Sequence, residues 1–564
     1  LSNNDLGTSN TVFGHTAGNA LVSGGAFNVL IGHESGLLLG HSTSDANVAI
    51  GYNTMKSSGT ASANTAYHNT AIGTDALGQI TTGIENVCLG SSSGYGLTTA
   101  NKVVFIGRQA GDAVTVTNSA GSDGTVGIGY QALTALTSGE GNTAIGYNAL
   151  LTEDDGDQNT AVGYEALKVL NASDGTGANT AVGWHSGIAL TTGLYNTLMG
   201  SGAGNVMTTA SKCTIIGTAA GTGALTGDGT TDETTADGIV AIGYAAANAL
   251  GVSVGSMAIG HRAMATHTTG ARNMAIGYNA MTDTDGGDGT GLTSADNIFI
   301  GYLSGSGTWD GDDANNNNVA LGNYTMDAVL NGATNNTAVG YDALTALTTG
   351  DNNVCVGYQA GLAVAGGQWN TFIGQNAGDA VSSGSANVAV GTGADCAATA
   401  NNQIAIGNGA VASGVNVGIW GNSSVATNNI TVDWTVTSDK RIKKDIVDSD
   451  IGLSFINALK PRKFRKKHPS EWDAEILEAR YKKGGVNYDD DKDEVIKDEF
   501  DDEKVLNGLI AQEVKESMDE LDVEFSGWNE ESNSKQGIQY SALVIPLIKA
   551  VQELSAQVEE LKNK

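Results

Sequence analysis

Proline is missing from the first 437 residues of this 564-residue chain; Pro461, Pro469 and Pro546 all come later. A proline cannot donate to a strand ladder, so its absence over such a length is compatible with continuous strand pairing. Basic residues are nearly missing too. Only 7 of the 28 Lys/Arg lie in residues 1–437, against 31 of the 60 Asp/Glu. Phosphate neutralisation needs Lys and Arg, so a nucleic-acid partner is not expected. The net charge of −32 instead serves the solubility of a large particle. Cysteine is scarce: Cys88, Cys213, Cys355 and Cys396 are far apart and show no metal-ligand spacing. No apolar run approaches the roughly 18 residues of a membrane span. The chain starts at Leu1 without Met or a signal-peptide pattern, which reads as a fragment or a processed product.

Glycine is abundant, with 73 of the 79 before residue 438. Disordered Gly-rich chains lack a fixed period, whereas here a five-residue phrase, N-[TV]-[AFL]-[IV]-G, recurs. The phrase or a near copy stands at 10–14, 28–32, 47–51, 69–73 and 86–90, and again at 142–146, 159–163, 179–183, 273–277, 336–340, 370–374 and 387–391. With degenerate copies there are about 23, most often 17 residues apart. Such a period means a solenoid of stacked coils. At about 4.8 Å per strand layer, the array predicts a rod on the order of 110 Å long.

Each phrase reads as one short strand. In Asn142-Thr143-Ala144-Ile145-Gly146, alternation puts Thr143 and Ile145 on one face and Ala144 with Gly146 on the other. The β-branched face is expected to fill the coil. The Ala/Gly face is expected to pack on neighbouring subunits around a threefold axis, because a strand without a charged face is buried on both sides. The recurring Gly suits a positive φ or a close backbone approach, and the recurring Asn is expected to stack on its copies. Cys88 and Cys355 occupy the Ala position and read as small buried thiols. The phrases NTAIGYNAL (142–150), NTAVGYEAL (159–167) and NMAIGYNAM (273–281) resemble the head repeats of trimeric autotransporter adhesins. That resemblance implies left-handed parallel β-rolls assembled as trimers over roughly residues 10–420. The array is expected to end where the Gly position becomes Trp420.

Charge returns abruptly at TSDKRIKKDI (437–446). Ser438, Asp439, Arg441, Lys443 and Ile446 resemble the S-D-x-R-x-K-x-x-I opening of the intramolecular chaperone, auto-processing domain of phage tail spikes, tail fibres and endosialidases. GLSFINALKPRKF (452–464), LNGLIAQEV (506–514) and IQYSALVIPLIKAVQEL (538–554) resemble later phrases of that family, in order. The acidic insert at 488–504 departs from it and reads as a solvated loop or hairpin.

The resemblance implies a Ser–Lys dyad, with Ser438 the nucleophile and Lys443 the general base. A serine hydroxyl needs a base, and a lysine serves only when neutral. Free lysine titrates near 10.4. Burial and the neighbouring Lys440, Arg441 and Lys444 are expected to favour its neutral form. The enzyme activity implied is a single-turnover, self-cleaving serine protease, with no action on other substrates. Tyr540, Val544, Leu547, Val551, Leu554, Val558 and Leu561 follow alternating spacings of four and three, a coiled-coil seam.

The fold expected is therefore mostly β: a trimeric parallel β-roll or solenoid repeat array, then an α+β chaperone domain ending in a coiled-coil helix. The domains expected are an array at 1–420, a connector at 421–437 and the chaperone at 438–564. The function implied is a virion tail fibre or tail spike for host attachment, made in the host cytoplasm. Its partners would be its own copies in a homotrimer, a host cell-surface receptor (glycan or protein) and other virion tail proteins, without nucleic acid or membrane insertion. Alternatives are a polysaccharide-depolymerase spike and a bacterial trimeric adhesin; the latter calls for a signal peptide and a membrane barrel. No cofactor or metal is expected. Acidic clusters at 154–157, 283–288 and 310–313 read as solvated loops rather than calcium sites. GTGALTG (221–227) lacks the Lys-Ser/Thr of a phosphate loop. Trp184, Trp309 and Trp369 read as packing or isolated surface residues rather than sugar platforms.

Overall fold

A computed structural model describes residues 8–113, 123–171, 177–226, 236–251, 253–284, 294–309, 314–425, 438–473, 488–489, 494–495, 504–530 and 535–564. The chain divides into two compact units, Leu1–Asn353 and Val354–Lys564. The first carries eighteen three-residue strands, from Thr11–Phe13 to Thr337–Val339. Consecutive strands pair in parallel at matched repeat positions: Thr160, Ala161 and Val162 face Thr180, Ala181 and Val182. The second unit opens with Val354–Val356, Thr371–Ile373, Val388–Val390, Ile404–Ile406 and Gly418–Trp420, again parallel. A second short parallel pair, Asp395–Cys396 with Val411–Ala412, joins them. The fold is thus a parallel β-solenoid of about 22 turns followed by small sheets and helices, mostly β as the repeats predict.

The faces of the strand are the reverse of the expectation. Ala144 is buried, Thr143 is half-buried, and Ile145 is exposed. The middle residue alone points into the coil, because a three-residue strand sends its two flanks to the opposite face. The coil has little room there: Ala149 and Leu150 turn inward and are buried as well. Bulk is balanced within many rungs, and between neighbours at Ala181 and Gly187, where Leu167 and Leu198 of the adjacent rungs fill the space. Where the middle residue is Ala144 or Ala161, the residue six positions on is Leu150 or Leu167, buried in both cases. Where the middle residue is Phe105, Phe299 or Phe372, the sixth is Gly111, Gly305 or Gly378, and a Cβ there would lie 2.4–2.5 Å from the phenyl ring. Close packing allows one large group in that space, not two.

The recurring Gly sits where neighbouring rungs touch. Gly146 has φ +145°, and a Cβ on it would lie 2.1 Å from the carbonyl oxygen of Gly163 in the next rung. The recurring Asn forms a buried ladder. Asn28 Oδ1 accepts from the Asn47 amide N–H at 2.9 Å, Asn47 Oδ1 from Asn69 at 3.1 Å, and Asn69 Oδ1 from Asn86 at 3.0 Å. The Asn86 side-chain amide in turn donates to the Ala100 carbonyl at 2.9 Å. Each Asn thereby satisfies backbone groups that the short strands leave over. On the outside, the residue after Gly forms aromatic stacks: Tyr244, His261, Tyr278 and Tyr302 have successive centroids 5.2, 4.9 and 5.3 Å apart.

The last described strand of the roll in the second unit is Gly418–Trp420. Trp420 pairs with Ile406, so it fills the Ile slot, and Gly421 (φ +79°) holds the Gly position. The connector residues 426–437 lie outside the described residues, as do 285–288 and 310–313 of the acidic clusters and most of 488–504. Within that insert, Tyr488–Asp489 pairs antiparallel with Glu494–Val495.

The C-terminal region builds a small core of its own. Helix α1 (Leu453–Ala458) and helix α2 (Ala511–Leu521) bring Phe455, Val514 and Met518 against Phe525. Arg462–Phe464 pairs antiparallel with Leu506–Gly508, and Trp528–Glu530 with Gln536–Ile538. Helix α3 (Val544–Lys562) follows a 3-10 turn at Tyr540–Leu543. It carries Pro546 at its third position, where a missing N–H costs nothing. Glu553 of α3 accepts the Leu453 amide at 2.8 Å and so caps α1. The Tyr540 hydroxyl accepts the Leu509 amide at 2.7 Å.

Two outcomes follow. Gly146→Ala is expected to break the stack locally, with a strain of about 1–3 kcal/mol from backbone alone and more from the contact with Gly163; hydrogen exchange at residues 143–163 would register it. Phe372→Ala alone is expected to cost about 3–5 kcal/mol. Adding Gly378→Leu, which copies the Ala161/Leu167 arrangement, is expected to recover part of that loss in a urea-unfolding double-mutant cycle.

Candidate functional site

Ser438 and Lys443 are five residues apart and meet. The Lys443 ammonium donates to Ser438 Oγ at 2.7 Å. A tight 3-10 turn, Lys440–Ile442, reverses the chain between them. It closes with the Lys443 amide on the Lys440 carbonyl at 3.2 Å. Asp439 caps the turn: its Oδ1 accepts the Arg441 amide at 2.8 Å. The Arg441 guanidinium grips the same carboxylate, with Nε 3.1 and 3.0 Å from its two oxygens and a terminal nitrogen at 2.5 Å. Arg441 holds the Asp439 carboxyl below its ordinary range, first through the side-chain hydrogen bond and then through the backbone one.

Ser438 and Lys443 are both exposed in the single chain. Arg441, expected to repel a charge on Lys443, is instead engaged by Asp439. The remaining exposed cations are Lys440 and Lys444. The geometry can pass a proton between Oγ and Nζ; it leaves the lysine in water until something covers it.

The seam of α3 presents a row of apolar side chains. Val544, Leu547, Val551, Leu554, Val558 and Leu561 are exposed along the helix, and Tyr540 is exposed on the turn before it. Leaving them in water forgoes the burial that stabilises a helix of this length.

Other candidates resolve into structure. All four thiols are buried and free. Burial pushes Cys88 and Cys396 up to about 12 and Cys213 to about 11, and raises Cys355 as well. Protonated thiols are poor nucleophiles and poor metal ligands. Trp309 packs on Phe299 in the core, while Trp184 and Trp369 are exposed. Glu153, Asp154 and Asp155 have carboxylate oxygens within 4.8 Å of one another. Glu153 is buried and accepts the Gly156 amide at 2.8 Å, a turn-forming contact. Among the described residues no helix is long and apolar enough to cross a membrane.

A carboxylate pair that the repeats did not reveal lies on adjacent rungs of the second unit. Burial, then the charge of Asp379, pushes Asp395 up to about 7, and burial raises Asp379 too. The signal was weak, because the two acids are 16 residues apart in a stretch where the five-residue phrase is otherwise regular.

Residues 438–523 match the family described as chaperone of endosialidase. The match begins at Ser438 and takes in the dyad, α1 and α2; the closing phrase at 538–554 lies beyond it. A comparison with curated proteins finds no match. A β-solenoid joined to a chaperone-of-endosialidase region fits a tail-spike-like protein.

The Asp395 carboxyl gives a pH prediction. A carboxyl raised on folding binds its proton more tightly in the folded chain, so its contribution falls as pH rises from about 4 to about 7. Asp395→Asn is expected to stabilise the fold at pH 8 by at most about 4 kcal/mol and so to raise its melting temperature. The gain should vanish near pH 4, as thermal melts at the two pH values would show.

Proposed function

We propose that this chain is a tail-spike-like fibre protein of a virion, assembled as a homotrimer by its C-terminal region, which then cuts itself away beside Ser438. The observation that carries this reading is the Ser438–Lys443 contact at the first residue of the chaperone-family match. A long array of near-equal rungs has a registration problem, because chains one coil out of step lose little energy. A helper that trimerises first aligns three chains at one end, and the array zips from there. The exposed seam of α3 supports this order, since a three-helix core would cover it. Once the helper is gone, the array is held by kinetics, with no easy route back to a correct register.

The chemistry uses two groups of this chain. Neutral Lys443 Nζ takes the proton of Ser438 Oγ, and Oγ attacks the carbonyl of a peptide bond beside it. The acyl–oxygen ester forms as the C–N bond breaks, and the leaving amine takes the proton from Lys443. Water then hydrolyses the ester and restores the hydroxyl. Because the nucleophile and the bond share one chain, proximity replaces substrate binding. Lys443 is exposed in one copy, so partner copies supply the desolvation that frees its lone pair. Cleavage therefore follows assembly.

The mature fibre, about residues 1–437, joins other tail proteins and meets a glycan or protein receptor on the host surface. It is synthesised in the host cytoplasm and acts in the tail of the virion. The test is the mass of the native particle together with that of its chain. A trimer of shortened chains is expected from the wild type. Ser438→Ala and Lys443→Ala should give full-length chains, slowed by at least about 100-fold. Lys443→Arg should not restore cutting, because a guanidinium does not deprotonate. Monomers of full length, or equal cutting in Ser438→Ala, would defeat the reading.

A further inference from the structure

We propose that Asp439, through its clasp on Arg441, is the positioning residue that holds Lys443 against Ser438. This rests on the self-cleavage reading above and adds to it a residue that does not touch the reacting atoms. The segment has little else to shape it. Ser438, Lys440, Arg441, Lys443 and Lys444 are all exposed, and α1 begins only at Leu453. Within one chain packing does not fix the turn, and hydrogen bonds shape it before any partner copy covers it.

The Asp439 carboxylate does two things at once. It accepts the Arg441 amide at 2.8 Å, which starts the 3-10 turn. It also receives the Arg441 fork, with Nε at 3.0–3.1 Å from both oxygens. A side chain of Asp length at the N-cap reaches the amide two residues on. A planar guanidinium closes on a carboxylate at two points where an ammonium offers one. The clasp therefore locks residues 439–441, and the Lys443 amide, closing on Lys440, carries that geometry to the lysine. It also removes a free guanidinium charge from beside the dyad. Lys440 and Lys444 remain as exposed cations on either side of the clasp.

The full chain carries the test, as Asp439→Ala, Asp439→Asn and Arg441→Lys beside wild type and Ser438→Ala. Two quantities are read: the rate at which the shortened chain appears after synthesis, and labelling of Ser438 by a fluorophosphonate reagent, located by peptide mass. Asp439→Ala is expected to cut at least about 10-fold more slowly within particles of normal mass and melting temperature. Asp439→Asn keeps an oxygen for the Arg441 amide and should recover part of the rate; this graded rescue separates positioning from a merely structural role. Wild-type rates in all three variants would overturn the proposal. Should Asp439→Ala fail to assemble, the exposed change Arg441→Lys decides: slow cutting in an assembled particle supports the clasp, and wild-type cutting refutes it. If even the wild type stays uncut, the self-cleavage reading falls, and labelling alone judges the clasp. Labelling that weakens in Asp439→Ala and returns in Asp439→Asn would uphold it, whereas equal labelling, or none, would end it.

Discussion

Everything in the roll depends on how closely one rung's backbone approaches the next. At the Gly146 position the neighbouring carbonyl lies where a Cβ would be. That contact admits glycine alone, and it brings the rungs into parallel pairing at matched positions. The buried Asn ladder then saturates the backbone groups that three-residue strands cannot pair by themselves. Conformational entropy opposes ordering so many glycines. The repetition of small hydrogen-bonded interactions offsets it.

Much of this was legible in the sequence, and the misses have physical causes. The strand positions, the parallel stack, the Asn ladder and the buried cysteines follow from period and residue type. The inward face did not. Alternation divides Thr143 and Ile145 from Ala144 but does not say which side is inside. Leu150, six residues on, decides it by occupying the interior that the β-branched pair was expected to fill. Trp420 was misplaced by one residue because its size suggested the end of the pattern, whereas pairing with Ile406 puts it in an ordinary apolar slot. At the candidate site, the five-residue spacing of Ser438 and Lys443 was legible. The partner of Arg441 was not, since a run of mixed charges does not reveal which of them join. The raised carboxyl of Asp395 depends on a rung neighbour that only the fold brings near.

The two parts of the chain use opposite strategies. The roll repeats one solution, so its stability is a sum of similar local terms. The C-terminal region is irregular, with a small core around Phe455 and Phe525 and an apolar helix seam left in water. A repetitive shaft carries little information about alignment; a unique, sticky end carries a great deal. On the proposed reading, the information is supplied and then discarded, and the exposed dyad turn is the place of separation.

The within-rung balance of bulk has a consequence for how such a chain changes over generations. Phe372 with Gly378, or Ala161 with Leu167, settles its own volume inside one coil. A gene encoding it can gain or lose whole coils by unequal recombination where the new neighbours match in bulk, as Gly127 matches Phe105 of the rung before it. Length then becomes adjustable in steps of one coil wherever adjoining interiors agree in size.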